Sequence, residues 1–444
     1  MKVHRLGEKL SSFRIIIIGF LGAILIGAFL LMLPISAQSR QWTSPEHALF
    51  TSTSAVCVTG LVVKDTATYW SYFGQGVLLL LIQLGGLGVI SVAAVIASVS
   101  GRKISLLQRS MLQDSISAHQ LGDIVPLTKF IFRIAFLTEL AGALLLLPWF
   151  CKEFGAGGIW MAVFTSVSAF CNAGFDLMGS RSGAFSSLTY FGGHPGVIIP
   201  ICLLIIIGGI GFLTWDDVCH HKFRLKRYRM QSKVILLTSL ILIVLPGILF
   251  FFCDYAGVPL KDRICFSLFQ AVTPRTAGFN TTDLSLLTGA GRTVFIVLML
   301  VGGSPGSTAG GMKTTTLAVL FANMTAVIRK KKSAEMFGRR VEDSTVRTAG
   351  ALLMMYLFLA LSAACTISLI EGEPLTTCLF ETASAVGTVC LSLGMTPSLG
   401  LVSHLILMVL MFFGRVGGLT ILFAAISTSG VEVSQYPVEK INVG

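Results

Sequence analysis

The sequence has 444 residues, of which 54% are hydrophobic and 12% are charged, and its mean hydropathy is +0.83. A soluble protein carries roughly 25% charged residues, so the composition excludes an ordinary soluble enzyme or binding domain. Apolar runs long enough to cross a bilayer recur along most of the chain, which predicts an all-α polytopic membrane protein. The first run, 14–36, has no small-residue cleavage site before Pro34, so we expect a retained span and not a signal peptide.

The net charge of +12 is distributed in a way that argues against a nucleic-acid partner. Basic residues gather in short segments between apolar runs, and these segments alternate with loops that are poorer in Lys and Arg. This is the positive-inside pattern, so we expect the basic segments and both termini in the cytoplasm, in contact with anionic lipid headgroups or a cytoplasmic partner. The clusters are Arg102, Lys103 and Arg109; Lys222, Arg224, Lys226, Arg227, Arg229 and Lys233; and Arg329 to Lys332 with Arg339 and Arg340.

The ten cysteines show no paired spacing, and most lie in apolar segments, where Cys behaves as a small hydrophobic residue. We therefore expect no disulfide framework. Cys219, His220 and His221 are adjacent, but no second ligand pair at metal-site spacing accompanies them. The sequence thus predicts no cofactor and no structural metal in this chain.

Eight apolar runs are predicted to cross the membrane. A shorter piece lies between the two members of each successive pair, and at about 1.5 Å per residue it reaches about 20 Å, less than the roughly 30 Å hydrocarbon core. Each pair with its short piece forms a helix–pore-loop–helix unit, which predicts units at 1–110, 111–222, 223–340 and 341–444. The spans are 14–36, 71–98, 127–150, 194–215, 234–256, 292–328 (interrupted), 346–370 and 399–427, and the short pieces are 45–57, 159–171, 263–274 and 374–387.

The four short pieces end in similar sequences, at 50–60, 164–174, 268–278 and 380–390. Each combines apolar, Ser or Thr and small residues in the same order. Backbone that turns inside a membrane must line water or be buried in protein. We therefore predict four re-entrant segments with fourfold pseudosymmetry around one pore. The alternative, four amphipathic helices in the membrane interface, leaves the repeated spacing unexplained.

The last three residues of each segment, hereafter the four triplets, form the predicted ion filter. Backbone carbonyls can replace the water shell of a cation, and small residues let four strands approach one axis. No carboxylate recurs in the triplets, which favours a monovalent over a divalent cation. Asp65, Asp176 and Asp283 follow their glycines and either make the outer mouth negative or are ordinary surface charges. The triplets are Val58, Thr59 and Gly60; Asn172, Ala173 and Gly174; Thr276, Ala277 and Gly278; and Thr388, Val389 and Cys390.

A glycine-rich stretch interrupts the sixth span. Pro305 and its neighbouring glycines disfavour a regular helix, and a broken helix at membrane depth is tolerated only along a cavity. It is not a phosphate-binding loop, because Met312 separates Gly311 from Lys313 and no strand precedes it. We predict a flexible constriction of the ion path, and a packing kink is the alternative. The predicted gating residues are Gly302, Gly303, Ser304, Pro305, Gly306, Ser307, Thr308, Ala309, Gly310, Gly311, Met312 and Lys313.

Arg415 lies well inside the last apolar run, 399–427. A charge at membrane depth costs roughly 2.5–3.5 kcal/mol on insertion scales, so such a residue usually faces the interior of the bundle and has a role. The alternative is a side chain that reaches back to the interface. We therefore expect Arg415 to face the interior of the bundle and to have a role there.

The four segments resemble the pore loops of the Trk/Ktr/HKT potassium transporter superfamily, over essentially the whole chain. The similarity is greatest to the membrane subunit of bacterial Ktr systems, and the tail 436–444 is also similar. The resemblance implies a homodimer in the bacterial cell membrane, with one pore per subunit for K⁺ and with Na⁺ as a stimulating or leaking ion. It also implies a cytoplasmic ring of regulatory subunits that holds the nucleotide. It identifies 302–313 as the gating loop and places Arg415 among the gating residues, beside the pore, as an electrostatic barrier.

Cys390 departs from this family, which usually has glycine at the fourth filter position. A Cβ atom and a thiol are expected to narrow the filter or to force another backbone angle, and so to weaken selectivity for K⁺.

Two other protein classes fit the sequence less well. An intramembrane enzyme needs a catalytic motif, but neither His-Glu-x-x-His nor Gly-x-Ser-x-Gly nor a membrane-embedded Asp pair occurs. A secondary transporter of another fold is built from inverted repeats, whereas the repeats here share the order span, short piece, span. The sequence therefore predicts a channel-like conducting subunit and no enzymatic activity.

Overall fold

The protein is built from helices, as the sequence predicts. The computed structural model describes residues 12–89, 91–92, 124–222, 224–418 and 420–421. A short hairpin pairs β1 (Glu335–Met336) with β2 (Arg339–Arg340). The helices of more than one turn in these ranges are α1 (Ser12–Met32), α2 (Pro45–Val56), α3 (Tyr72–Leu87), α4 (Ile124–Phe154), α5 (Gly157–Phe170), α6 (Pro195–Gly209), α7 (Phe212–His221), α8 (Met230–Phe252), α9 (Leu260–Val272), α10 (Gly289–Leu300), α11 (Thr314–Ile328), α12 (Asp343–Glu371), α13 (Leu375–Gly387) and α14 (Leu401–Val416).

Single turns of helix connect these elements at their ends. They are α-helical at Thr66–Tyr69 and Gly179–Ser182, and of the 3-10 type at Pro34–Ser36, Thr189–Phe191, Leu225–Arg227, Leu284–Leu286 and Thr396–Ser398.

Four helices in the described ranges, α1, α4, α8 and α12, are long and apolar enough to cross a membrane. Much of their surface consists of exposed apolar side chains, such as Phe29, Phe136 and Leu245, which are 63%, 65% and 67% exposed. Such a surface suits a lipid environment, because lipid tails are as apolar as these side chains. The chain is therefore a membrane protein with several apolar helices.

Four short helices, α2, α5, α9 and α13, lie at the centre of the fold. Each packs most extensively against the long helix that precedes it. Their ends lie within three residues of the short pieces predicted from the sequence. The side chains of Phe50, Phe164 and Phe380 have no exposed surface, and the C-terminal end of each short helix is buried. A helix lying on a membrane surface keeps a polar face in water, so the interfacial alternative is wrong.

The apolar run 194–215, predicted as one straight span, bends by 101° between α6 and α7. The bend is at Gly211, whose φ of 93° lies outside the helical range and is open to glycine. The backbone N–H of Phe212 donates to the carbonyl oxygen of Gly306 at 2.6 Å and holds the bend in place. This contact joins residues far apart in the chain, which is why apolarity alone predicts a straight helix.

Two further helices end at glycines in the same conformation. α3 ends at Gly88, with a φ of 86°, and α14 ends at Gly417, with a φ of 90°. The predicted spans 71–98 and 399–427 are therefore interrupted at these glycines, and helical conformation resumes at residues 89 and 418. Most of their remainder, the basic cluster at 102–109 and the tail 436–444 lie outside the described residues.

Candidate ion pathway

The four triplets share one backbone pattern. Their first residues all have a left-handed φ, which is 54° at Val58, 58° at Asn172, 66° at Thr276 and 54° at Thr388. A residue with a Cβ atom pays roughly 1–2 kcal/mol for this conformation. Four such residues at equivalent places in four segments indicate a conformation imposed by the surrounding structure.

The third residues of the triplets repeat this conformation. Gly60, Gly174 and Gly278 have φ values of 78°, 69° and 77°, and Cys390 has 77°. Glycine adopts a positive φ without steric cost, whereas cysteine does not. The cysteine in the fourth triplet therefore keeps the backbone geometry of the glycines in the other three.

Each segment turns from helix to triplet through backbone hydrogen bonds. In the first, second and fourth segments the middle residue of the triplet donates to a serine carbonyl near the end of the short helix. The third segment turns differently, because Ala277 and Gly278 both donate to the Thr273 carbonyl, at 3.0 and 3.3 Å. The three equivalent bonds are Thr59 N to Ser54 O, Ala173 N to Ser168 O and Val389 N to Ser384 O, each 2.8 Å.

The third residues of the triplets meet at one point. A Cβ atom built on Gly60 or Gly174 would lie 2.4 or 2.5 Å from Cys390 Sγ, and one on Gly278 would lie 1.9 Å from Cys390 Cβ. These separations are far shorter than van der Waals contact. The ring has room for one side chain, and Cys390 supplies it.

The thiol of Cys390 lies among the carbonyl oxygens of this ring. Its Sγ atom is 2.9 Å from Gly60 O and 3.4 Å from Gly174 O, so the S–H group donates towards them. Among the described residues, Thr59 Oγ1, Asn172 Oδ1, Thr276 Oγ1 and Thr388 Oγ1 are buried without a hydrogen-bond partner. Backbone carbonyl oxygens such as those of Gly60 and Gly174, which converge on Cys390 Sγ, are the ligands that can replace the water shell of a monovalent cation.

The buried carboxylate of Glu381 stands behind the fourth triplet and is fully engaged by the protein. Its Oε1 accepts from Ser392 Oγ and from the Leu393 backbone at 3.2 Å, and its Oε2 accepts from Thr396 Oγ1 at 2.9 Å. It therefore orients the chain that leaves the triplet. No cluster of His, Cys, Asp or Glu that could hold a metal ion occurs in the described part of the chain.

A cavity of about 350 Å³ opens beside the third residues and contains the three predicted acidic residues. Asp65 accepts hydrogen bonds from the backbone of Thr68 and of Phe185, each at 2.9 Å. Burial, with a smaller contribution from the nearby Asp65 charge, raises the pKa of the Asp176 carboxyl to about 6. Asp283 lines the same cavity. The structure thus brings the three carboxyls to one mouth.

The predicted gating loop, 302–313, connects α10 to α11 without helical structure. Its two ends are tied by a hydrogen bond from Gly302 N to Met312 O at 2.7 Å. Its backbone also donates to other parts of the chain, from Ser304 to Gly209 O at 3.0 Å and from Gly311 to Gly414 O at 3.2 Å. The loop is therefore held by the ends of α6 and α14 and is not a packing kink within one helix.

The loop contacts the first residues of two triplets. Asn172 Nδ2 donates to Thr308 Oγ1 at 3.1 Å. A Cβ atom on Gly310 would lie 2.1 Å from Thr388 Oγ1, so only glycine fits there. The outer cavity contacts the third residues and the loop contacts the first, so the loop lies across the opposite end of the triplets.

Arg415 reaches into the bundle and not towards the interface. Its guanidinium donates to the carbonyl oxygens of Thr308 and Gly85, and to Gly86 O at 3.0 Å. Lys313 Nζ donates to Ala309 O at 2.9 Å. Both cations line a second cavity of about 280 Å³ on the loop side of the triplets. The alternative of a side chain that reaches back to the interface is therefore wrong.

Glycines late in three of the second helices, α3, α6 and α14, let the ends of the short helices approach closely. A Cβ atom on Gly85, Gly208 or Gly414 would lie 2.0–2.2 Å from a carbonyl oxygen at the end of a short helix. Gly85 and Gly86 also accept hydrogen bonds from Arg415. The recurrence of glycine late in the second helices is the sequence signal that could have indicated this close approach.

One pair of residues was missed by the sequence analysis. His404 Nδ1 lies 2.7 Å from Glu46 Oε1, and His404 Nε2 lies 2.9 Å from Thr396 O. The ring also stacks at a tilt against Phe50, with centroids 4.9 Å apart. This contact ties α2 to α14, and nothing in the local sequence of either residue predicts it.

The sequence model of a family described as a cation transport protein, TrkH, matches residues 11–433. The chain belongs to the Trk/Ktr family of cation transport proteins. It is 37% identical to the potassium/sodium uptake protein NtpJ of Enterococcus hirae, over 99% of both chains. It is 35% identical to the Ktr system potassium uptake protein B of Bacillus subtilis, over 97% of this chain and 96% of the relative.

A solved structure of a family member has the same fold. The crystal structure of the potassium transporter TrkH from Vibrio parahaemolyticus matches with a TM-score of 0.74 and 18% sequence identity, over 95% of this chain and 86% of that one. The resemblance to the Trk/Ktr superfamily inferred from the four segments is thereby confirmed.

Proposed function

We propose that this chain is the ion-conducting membrane subunit of a bacterial potassium uptake system. The observation that carries the proposal is the meeting of four triplets, with left-handed first and third residues, at one point where the backbone carbonyl oxygens of Gly60 and Gly174 lie beside Cys390. A set of neutral oxygens suits a monovalent cation that sheds its water. The relatives named as potassium and potassium/sodium uptake proteins support K⁺ as the main ion and Na⁺ as a second one.

We propose eight spans in four units around this single pore. The long helices α1, α4, α8 and α12 are the first spans of the units, and α3, α6, the pair α10 and α11, and α14 belong to the second spans. Each unit then has the order long helix, short helix, triplet, second helix. The equal order in all four supports parallel repeats around an axis and disfavours a transporter made of inverted repeats.

We propose that the loop 302–313 closes the pathway below the triplets and that Arg415 stabilises the closed position. The support is the direct contact of the loop with two triplets and the hydrogen bonds from the guanidinium to Thr308 and Gly85. The positive charges of Arg415 and Lys313 oppose a cation at that point. Opening requires the loop to leave the carbonyl oxygens of Gly209 and Gly414.

We also propose a homodimer that works with a cytoplasmic ring of nucleotide-binding regulatory subunits. The names of the Ktr system relatives support a membrane subunit that acts within a larger system. The basic residues at 222–233 and 329–340, most of which are exposed, are a suitable surface for such a ring. Reversal of both sets of charges should weaken co-purification with a Ktr regulatory subunit and leave the oligomeric state of this chain unchanged.

The test of the function is K⁺ and Na⁺ flux into liposomes that contain the purified chain. Gly174→Ala places a Cβ atom 2.5 Å from Cys390 Sγ and should lower both the K⁺ flux and its ratio to the Na⁺ flux. Gly76→Ala is the matched control, because a Cβ atom on Gly76 meets nothing within 4 Å. Absence of K⁺ flux, or equal flux in both variants and the parent, would overturn the proposal.

A further inference from the structure

Thr308 has the most complete set of hydrogen bonds in the loop. Its side chain has no exposed surface. Its backbone N–H donates to Gly208 O at 3.2 Å, and its carbonyl oxygen accepts from Arg415. Its hydroxyl donates to Phe170 O at 3.0 Å and accepts from Asn172 Nδ2 at 3.1 Å. One buried residue therefore joins the loop to three other segments.

The other polar side chains of the loop do not reach so far. Ser307 Oγ donates to Ser304 O at 2.7 Å, Ser304 Oγ pairs with Thr314 Oγ1 at 3.1 Å, and Lys313 Nζ donates to Ala309 O. All of these bonds stay within the loop or at its edge. Among the side chains of the loop, that of Thr308 makes a hydrogen bond to a triplet in the part of the chain that the structure describes.

Its two partners are the two ends of a single turn. Phe170 is the last residue of α5, and Asn172 is the first residue of the second triplet, with a φ of 58°. The hydroxyl bridges the place where the helix ends and the triplet begins. A shift of the loop would break the bridge at the residue that sets the direction of the triplet.

The orientation of the Asn172 side-chain amide depends on its hydrogen bond to the Thr308 hydroxyl. The residue is 1% exposed, and its Oδ1 atom has no partner among the described residues, so Thr308 Oγ1 holds the amide through Nδ2 alone. A buried amide oxygen without a partner is costly, unless a cation or water occupies the space beside it. The amide oxygen thus has a fixed direction only while the loop is in place.

We propose that Thr308 is a positioning residue that couples the loop to ion preference: its hydroxyl fixes the Asn172 amide and, with it, the cation selected at that level of the pore. This inference rests on the proposed function of the triplets and the loop. It adds that loop displacement changes which cation passes, in addition to how fast cations pass. The monovalent cation meets a directed amide oxygen while the Thr308 hydrogen bond holds, including in a conducting position in which the loop has left Gly209 O and Gly414 O, and meets a freely rotating amide once that bond breaks.

Thr308→Val removes the hydroxyl and keeps the shape, whereas Thr308→Ser keeps the hydroxyl. In proteoliposomes, we expect the K⁺ to Na⁺ flux ratio to fall about five-fold in Thr308→Val, the effect of one neutral hydrogen bond, and to return towards the parent in Thr308→Ser. Thr366→Val is the matched control, since Thr366 is exposed on α12 and bonds only to its own helix. A purely structural hydroxyl would change the amount of folded protein without changing the ratio.

A second variant removes the other partner of the same hydrogen bond, the Asn172 amide. Asn172→Gly tolerates the positive φ and removes the amide, so it should lower the ratio, and Thr308→Val should then have no further effect on it. An unchanged ratio in folded Thr308→Val, or full additivity of the two changes, overturns the inference. If Gly174→Ala also leaves the ratio unchanged, the proposed function fails; if Gly174→Ala lowers it, only the role of Thr308 fails.

Discussion

The sulfur atom of Cys390 lies 2.9 Å from the carbonyl oxygen of Gly60, a residue 330 positions away in the chain. The same sulfur is 3.4 Å from the carbonyl oxygen of Gly174. Residues of three of the four predicted units thus meet at one thiol. A glycine at this position would leave these oxygens facing each other across open space.

Cys390→Gly should increase K⁺ flux and the K⁺ to Na⁺ flux ratio. The change frees two carbonyl oxygens for the ion and relieves roughly 1–2 kcal/mol of strain, because glycine accepts the φ of 77° that cysteine resists. Flux in proteoliposomes and the midpoint of thermal unfolding are the measurements. Cys253→Gly, at an exposed helix end, is the control. Equal ratios in the parent and in Cys390→Gly would contradict the placement of the thiol in the ion path.

Small cationic thiol reagents added from the outside should block flux by reaction with Cys390. The thiol lines the outer cavity of about 350 Å³, and K⁺ in the path should slow the reaction by competing for the same space. The experiment needs a parent in which the exposed Cys219, Cys253 and Cys365 are serine. Block that persists in Cys390→Gly, or block that K⁺ does not slow, would count against this prediction.

Arg415→Ala should raise basal cation flux at least about ten-fold, because each lost hydrogen bond to a charged group costs about 1.5–3 kcal/mol of the closed position. Arg415→Lys keeps the charge but loses the planar fork that reaches Thr308 O and Gly85 O, so its flux should be intermediate. Gel filtration of both variants separates misfolding from gating. A folded Arg415→Ala with the flux of the parent would show that the guanidinium has only a packing role.

Cation flux at low ionic strength should fall as the external pH decreases through about 6. Burial raises the pKa of Asp176 to about 6, so this carboxyl is charged above that pH and neutral below it. Its neutralisation weakens the negative potential that attracts cations to the mouth. Asp176→Asn should lower flux at neutral pH and remove the fall of flux near pH 6. Glu342→Gln, on the exposed surface, should change neither the flux nor its pH dependence. Added salt should reduce this fall in the parent through screening.

The sequence predicts the short helices well, and physical reasons explain this. Each piece is too short to cross a bilayer, contains a buried phenylalanine such as Phe50 or Phe164, and ends where small residues allow the chain to turn. These signals are local. The boundaries and the equivalence of the triplets could therefore be read without any tertiary contact.

The contacts of the loop could not be predicted in the same way. Thr308 lies among glycines and serines without periodicity, and its partners Phe170 and Asn172 are more than a hundred residues away. The bend at Gly211 depends on a hydrogen bond to the same loop. Long-range contacts of this kind are fixed by the assembled bundle, and the order of residue types in one segment does not encode them.

The wide separation of Gly60 and Cys390 in the chain also sets the order in which the residues of the ring are synthesised. When the first three segments have entered the membrane, Gly60, Gly174 and Gly278 of the ring have been synthesised and Cys390 has not. Arg415, which holds the loop, emerges only after Cys390. The ring of third residues and the hydrogen bonds that hold the loop therefore form only late in translation. A truncated product that stops before 380 lacks the thiol, the fourth triplet and the guanidinium at once, and so cannot assemble the ring in the cell.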